Sequence, residues 1–198
     1  MHKIYFIGDS LTLGTPADLG TYPNTVGALL GSSWTIVNNG HGGRTTTKEL
    51  NVYASDLKNH SDAEYVCILL GVNDLNEGES ADTVIKNLQK LYTLTHNAGI
   101  KTVAITILPH NRMVYSFGKA SLGKSKMDTV NYWILHTAKD VDYRVNAYAA
   151  FLQPHTKIFF PLKPEYDSGD HLHLSERGYV ALGTIVFNSV EWKVRPVK

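Results

Sequence analysis

Residues 3–12 read KIYFIGDSLT. Four consecutive apolar side chains, Ile4-Tyr5-Phe6-Ile7, run straight into Gly8-Asp9-Ser10, and this junction decides how the chain is built. An apolar run without polar alternation marks a strand buried on both faces, which belongs in a parallel sheet covered by helices. Gly, Asp and Ser are also ordinary turn residues. The junction alone therefore reads equally well as punctuation or as a seryl hydroxyl presented at the carboxyl end of a strand, where open α/β sheets place their chemistry.

The same punctuated pattern recurs along the chain. Strands are expected at 3–7, 34–37, 65–70, 101–107 and, shorter, at 143–146. Helices are expected at 23–30, 45–58, 81–97, 127–141 and 174–190. In 81–97 the apolar residues Val84, Ile85, Leu88, Leu91 and Leu94 follow the helical period, and Gly99 supplies the stop. Ser175 is placed as an N-cap. Strand and helix in alternation predict a three-layer α/β/α sandwich, and five strands suggest the flavodoxin-like order 2-1-3-4-5. With no internal repeat, linker or low-complexity stretch, residues 1–198 are read as one domain.

Composition removes several classes of function. The formal net charge is +1, which gives no electrostatic case for nucleic acid or an anionic membrane. The single cysteine, Cys67, lies in an apolar run and reads as an inert core thiol; one cysteine forms no internal disulfide. No signal-length apolar stretch stands at the amino terminus and no segment approaches a transmembrane span, so a cytoplasmic location is expected. His60, His96, His110, His136 and His155 show no metal-ligand spacing, and no metal or cofactor is expected. Oligomeric state leaves no signal.

In the order 2-1-3-4-5 the loops after strands one, two and three share one crevice. They carry Gly8-Asp9-Ser10-Leu11-Thr12, the glycine-rich run from Asn38 to Thr46, and Gly71-Val72-Asn73-Asp74. A hydroxyl, accessible backbone N–H groups and a side-chain amide are the parts of an acyl-transfer site. A base is still required. Near the carboxyl end stands Asp170-His171-Leu172-His173-Leu174-Ser175, in which Asp170 and His173 are spaced to bring both side chains to one side of a turn. His171 is the rival histidine.

At these four blocks the sequence resembles the GDSL, or SGNH, hydrolase family, whose initials stand for the Ser, Gly, Asn and His of successive blocks. The resemblance runs from Gly8 to His173 in the family's order. It implies Ser10 as nucleophile, His173 as general base and Asp170 as its orienting acid. It also implies an oxyanion hole made by the Ser10 and Gly43 N–H groups and the Asn73 amide, on the flavodoxin-like sandwich argued above. The family's activities are esterase, lipase, thioesterase and carbohydrate deacetylase.

The neighbours of these residues have plainer roles. Asp9 and Asp74 read as a local cap and a loop brace. His41-Gly42-Gly43 is similar to a lipase oxyanion motif but follows the wrong strand for it. Arg44 departs from the small or acidic residue expected there, and reads as a surface charge or a contact to an anionic substrate. The stretch 109–124 follows strand four on the same edge, and Met113, Tyr115 and Phe117 are candidate walls of a substrate pocket. The expectation is a serine esterase of short-chain or acetyl esters, its partner a small-molecule ester. The alternatives are a lysophospholipase or acyl thioesterase, and a non-catalytic flavodoxin-like binding module. The last leaves the four blocks unexplained and lacks a G-x-G-x-x-G loop after strand one.

Overall fold

A computed structural model describes residues 1–16, 18, 20–110, 120–153 and 162–193, with the backbone alone at 120–124. Met113, Tyr115 and Phe117 lie outside the described residues. The strands are β1 (His2–Gly8), β2 (Trp34–Gly40), β3 (Tyr65–Leu69), β4 (Lys101–Ile105) and β5 (Tyr143–Val145). They form one sheet in the order β2-β1-β3-β4-β5, and every pairing is parallel. Three short helices each follow a strand closely: α1 (Ser10–Leu13), α4 (Val72–Asn76) and α7 (Ala147–Phe151). The longer helices are α2 (Tyr22–Leu30), α3 (Thr46–Asn59), α5 (Ala81–Asn97), α6 (Ala120–His136) and α8 (Glu176–Ser189).

Side chains alternate across a strand, so a strand buried on both sides feeds two cores. Tyr5 and Ile7 pack with Tyr53 of α3, Leu88 and Leu91 of α5, and Val130 and Ile134 of α6. Ile4 and Phe6 face the other way, among Tyr22 and Val26 of α2 and Tyr179, Leu182 and Val186 of α8. The sheet is thus the middle layer of an α/β/α sandwich. Register places Gly8 beside Gly40 on one side and Leu69 on the other, so three loops leave the sheet at one level.

Two of the expected elements differ most from their expected bounds. β2 continues through Asn38 and Asn39 to Gly40, past the expected end at residue 37. These polar residues stay in the strand because their amides find acceptors: Asn38 Nδ2 donates to the Thr12 carbonyl at 2.8 Å and Asn39 Nδ2 to the Tyr5 hydroxyl at 2.6 Å. The helix expected at 127–141 is α6, which starts at Ala120 and ends at His136. Beyond it, Arg144 collects the carbonyls of Ile134 and Ala138, and Gln89 clamps both backbone groups of Lys139. Those side chains satisfy carbonyls that a further helical turn would otherwise serve. Asp140, with φ +60°, then leaves the helical path.

Candidate active site

Ser10 is the first residue of α1, the position whose N–H has no partner within a helix. Asp9 caps the turn: its Oδ1 accepts from Leu11 N at 2.9 Å, and its carbonyl accepts from Thr12 N and Leu13 N. The turn sits against bare backbone. A Cβ on Gly40 would lie 2.1 Å from Leu13 N, and one on Gly8 would lie 2.0 Å from Thr12 Oγ1 and 2.7 Å from the Leu69 carbonyl. Only glycine permits α1 to pack so closely over the ends of β1 and β2.

The carboxyl-terminal loop delivers the partner groups. His173 Nε2 is 2.9 Å from Ser10 Oγ, and His173 Nδ1 is 2.5 Å from Asp170 Oδ2. Asp170 Oδ1 also accepts from Leu172 N at 3.0 Å and from His173 N at 2.8 Å. Burial alone would raise the Asp170 carboxyl. The hydrogen bonds from His173 and Leu172, together with the charge of His173, outweigh it and hold the group down at about 2. Ser175 caps α8 by accepting from Gly178 N, which anchors His173 from behind.

The rival histidine makes a second pair in tandem. His171 Nδ1 is 2.7 Å from Asp167 Oδ2, and its N–H donates to Asp167 Oδ1 at 3.0 Å. The His171 side chain is 46% exposed against 12% for His173, and His173 is the one bonded to Ser10.

The loops after β2 and β3 are tied together. Asn73 Nδ2 donates to the Arg44 carbonyl at 3.0 Å. Arg44 N donates to the His41 carbonyl, and His41 N in turn donates to the carbonyl of Gly8 at the end of β1. Asp74 takes both donors of Thr46, the backbone N–H at 2.9 Å and the hydroxyl at 2.5 Å, while Asn87 of α5 donates to Thr46 Oγ1. Asp74 is thus the loop brace its place beside Asn73 suggests, and burial raises its carboxyl.

Arg44 turns inward, and its Nε lies 3.3 Å from Glu49 Oε2. The Glu49 side chain has no exposure and, among the described residues, neither of its oxygens has a hydrogen-bond partner, so the contact is an ion pair without aligned donors. Burial pushes the Glu49 carboxyl up to about 7 against the pull of Arg44, with help from the charge of Asp56. Burial, with the nearby Asp74 charge, likewise takes Asp9 up to about 7 although Leu11 N–H opposes it. Sequence reasoning missed Glu49. The signal was present: Thr46, Glu49, Tyr53 and Leu57 fall on one buried stripe of α3, and an acid in such a stripe calls for a cation.

The chain also matches known proteins. The model of the GDSL-like lipase/acylhydrolase family matches residues 6–181. The chain belongs to that family. Membership in the GDSL-like family makes it a carboxylic ester hydrolase. No curated protein matches the chain significantly. Among solved structures it is similar to a lipase/acylhydrolase from Enterococcus faecalis, with a TM-score of 0.71 and 24% identity over 95% of this chain and 94% of that one. It is also similar to a GDSL-like lipase from Bacteroides thetaiotaomicron, with a TM-score of 0.73 and 20% identity over 94% and 86% of the two chains. An acetylxylan esterase from Geobacillus stearothermophilus gives a TM-score of 0.75 and 21% identity over 99% and 97%. These likenesses describe the GDSL-type fold. Among the described residues no helix is long and apolar enough to cross a membrane.

Proposed function

We propose that this family member is a serine esterase of short-chain or acetyl esters, with Ser10 as nucleophile, His173 as general base and Asp170 as the acid that orients it. The observation that carries the reading is the continuous line Ser10 Oγ, His173 Nε2, His173 Nδ1, Asp170 Oδ2, built from opposite ends of the chain. His173 takes the seryl proton as Oγ attacks the ester carbonyl. The Ser10 and Gly43 N–H groups and the Asn73 amide receive the oxyanion. His173 returns the proton to the departing alcohol, and water then releases the acid by the same route. Asp170, ionised down to about pH 2, stabilises the imidazolium throughout.

The Arg44 carbonyl supports the role given to Asn73. It occupies one N–H of the amide and fixes the plane of the other, so the second donor is held ready. Asn73→Ala should therefore lower kcat by roughly 100- to 1,000-fold, the usual worth of one oxyanion donor. Initial rates across a range of ester concentrations check this. A change confined to KM would assign Asn73 to ground-state binding alone.

Short acyl groups are favoured by the lack of a long continuous apolar stretch fit for a lipid-facing lid. The acetylxylan esterase among the structural relatives is named for an acetyl ester. Hydrolysis of p-nitrophenyl acetate and p-nitrophenyl octanoate separates the readings. A kcat/KM that falls with chain length supports the acetyl or short-chain reading. Preference for octanoate would replace it with a lysophospholipase or acyl thioesterase, and no turnover of either ester would defeat the esterase reading.

A further inference from the structure

The buried pair beneath the oxyanion loop is used by none of the steps above. Glu49 is fully enclosed on the first turn of α3, and Arg44, with 17% of its side chain exposed, is the cation against it. Arg44 is also the residue between Gly43 and the capping residue Thr45. Its backbone is held at both polar groups, the N–H by the His41 carbonyl and the carbonyl by the Asn73 amide. The side chain is the third anchor. A residue fixed at N–H, carbonyl and side chain has little freedom to rotate, and both neighbouring oxyanion donors take their placement from it.

We propose that Glu49 is a positioning residue of the oxyanion hole, acting through Arg44 on the Gly43 N–H and the Asn73 amide. This rests on the esterase reading given above. Glu49 is out of reach of solvent, so its partner is the Arg44 guanidinium, 3.3 Å away. An isolated buried carboxylate is costly, and an apolar residue in this stripe would cost the fold less. An acid placed here against Arg44 fits a function in holding it. Donors that are aimed beforehand act mainly in the transition state, so loosening them should appear in kcat more than in KM.

The test compares Glu49→Gln, Arg44→Met and the double variant, with p-nitrophenyl acetate as substrate and phenylboronic acid as a tetrahedral adduct of Ser10. Above pH 7, where Glu49 is mostly ionised, Glu49→Gln keeps the shape and removes the charge. It should lower kcat by about ten- to a hundredfold, the scale of a small misplacement of catalytic groups, with KM within about twofold. Phenylboronic acid should bind more weakly by a comparable factor, while the melting temperature stays close to the parent's. Arg44→Met, changed from the partly exposed side, should show the same loss and carries the test if Glu49→Gln folds poorly. The double variant should be no worse than Arg44→Met, since the two side chains act as one unit. Parental kcat and boronate affinity in either folded single variant, or losses that multiply in the double, would overturn the proposal. Failure of the esterase reading looks different: the parent itself would neither turn over the ester nor take a fluorophosphonate at Ser10.

Discussion

Ser10→Ala is expected to lose on the order of a million-fold in kcat, the scale found when a serine-triad nucleophile is removed. The loss should come without structural damage. Among the described residues the seryl oxygen is bonded to His173 Nε2, while the geometry of α1 is set by the Asp9 cap and by Gly14 N and Thr15 N donating to the Ser10 carbonyl. The cap and backbone bonds of α1 survive in alanine, which is also the better helix former. The melting temperature should therefore be retained while turnover disappears. A fluorophosphonate should add one equivalent of mass to the parent and none to the variant. Most of the activity surviving in pure Ser10→Ala would remove Ser10 from the mechanism.

His173→Ala should cost nearly as much, because nucleophile and base act together and neither is useful alone. The neighbouring substitutions rank by what each side chain touches. Asp170→Asn should cost less than His173→Ala, since the acid orients the base and moves no proton itself. His171→Ala should stay within about tenfold of the parent, roughly 1.4 kcal/mol, because His171 is paired with Asp167 while His173 is bonded to Ser10. Steady-state kinetics on the three variants give the order directly. A dead His171→Ala beside an active His173→Ala would reverse the assignment. The pH dependence follows from the same contacts. The Asp170 carboxyl is held down at about 2, so it remains ionised across the acid side of the profile.

The layers of the fold were legible because each buried strand is a short apolar run and each long helix carries its own period. Tyr65–Leu69 is wholly buried, and Ala81–Asn97 shows its stripe in Val84, Leu88 and Leu91. What escaped was too short or too polar to show a pattern. The helices Ser10–Leu13 and Val72–Asn76 span four and five residues, little more than a turn, so the sequence offers only their turn-like composition. The end of β2 was hidden because Asn38 and Asn39 belong to the strand through side-chain bonds to Thr12 and Tyr5, which are distant in sequence.

The candidate site shows the same division. Ser10, Asp170 and His173 could be singled out because four blocks occur together in the order of the family the sequence resembles, whereas the Ser10 junction alone reads equally well as a turn. The structure brings these three together. Arg44 gave no such clue, since a surface charge and an inward anchor look alike until Glu49 is folded against it. The Asp167–His171 pair was equally hidden, because its bonds depend on the path of one exposed loop.

Gly8 and Gly40 have a consequence for how the chain tolerates change. At Gly8 and Gly40 α1 meets bare main chain, so at these two points the height of Ser10 above the sheet is set by backbone. Residues such as Ile4, Phe6 and Cys67 lie farther back along their strands. Exchanges of similar volume there reach the seat of the nucleophile only through side chains such as Tyr22, which packs on Phe6 and bonds Thr12. Two positions with no side chain at all carry the dimension that must not change.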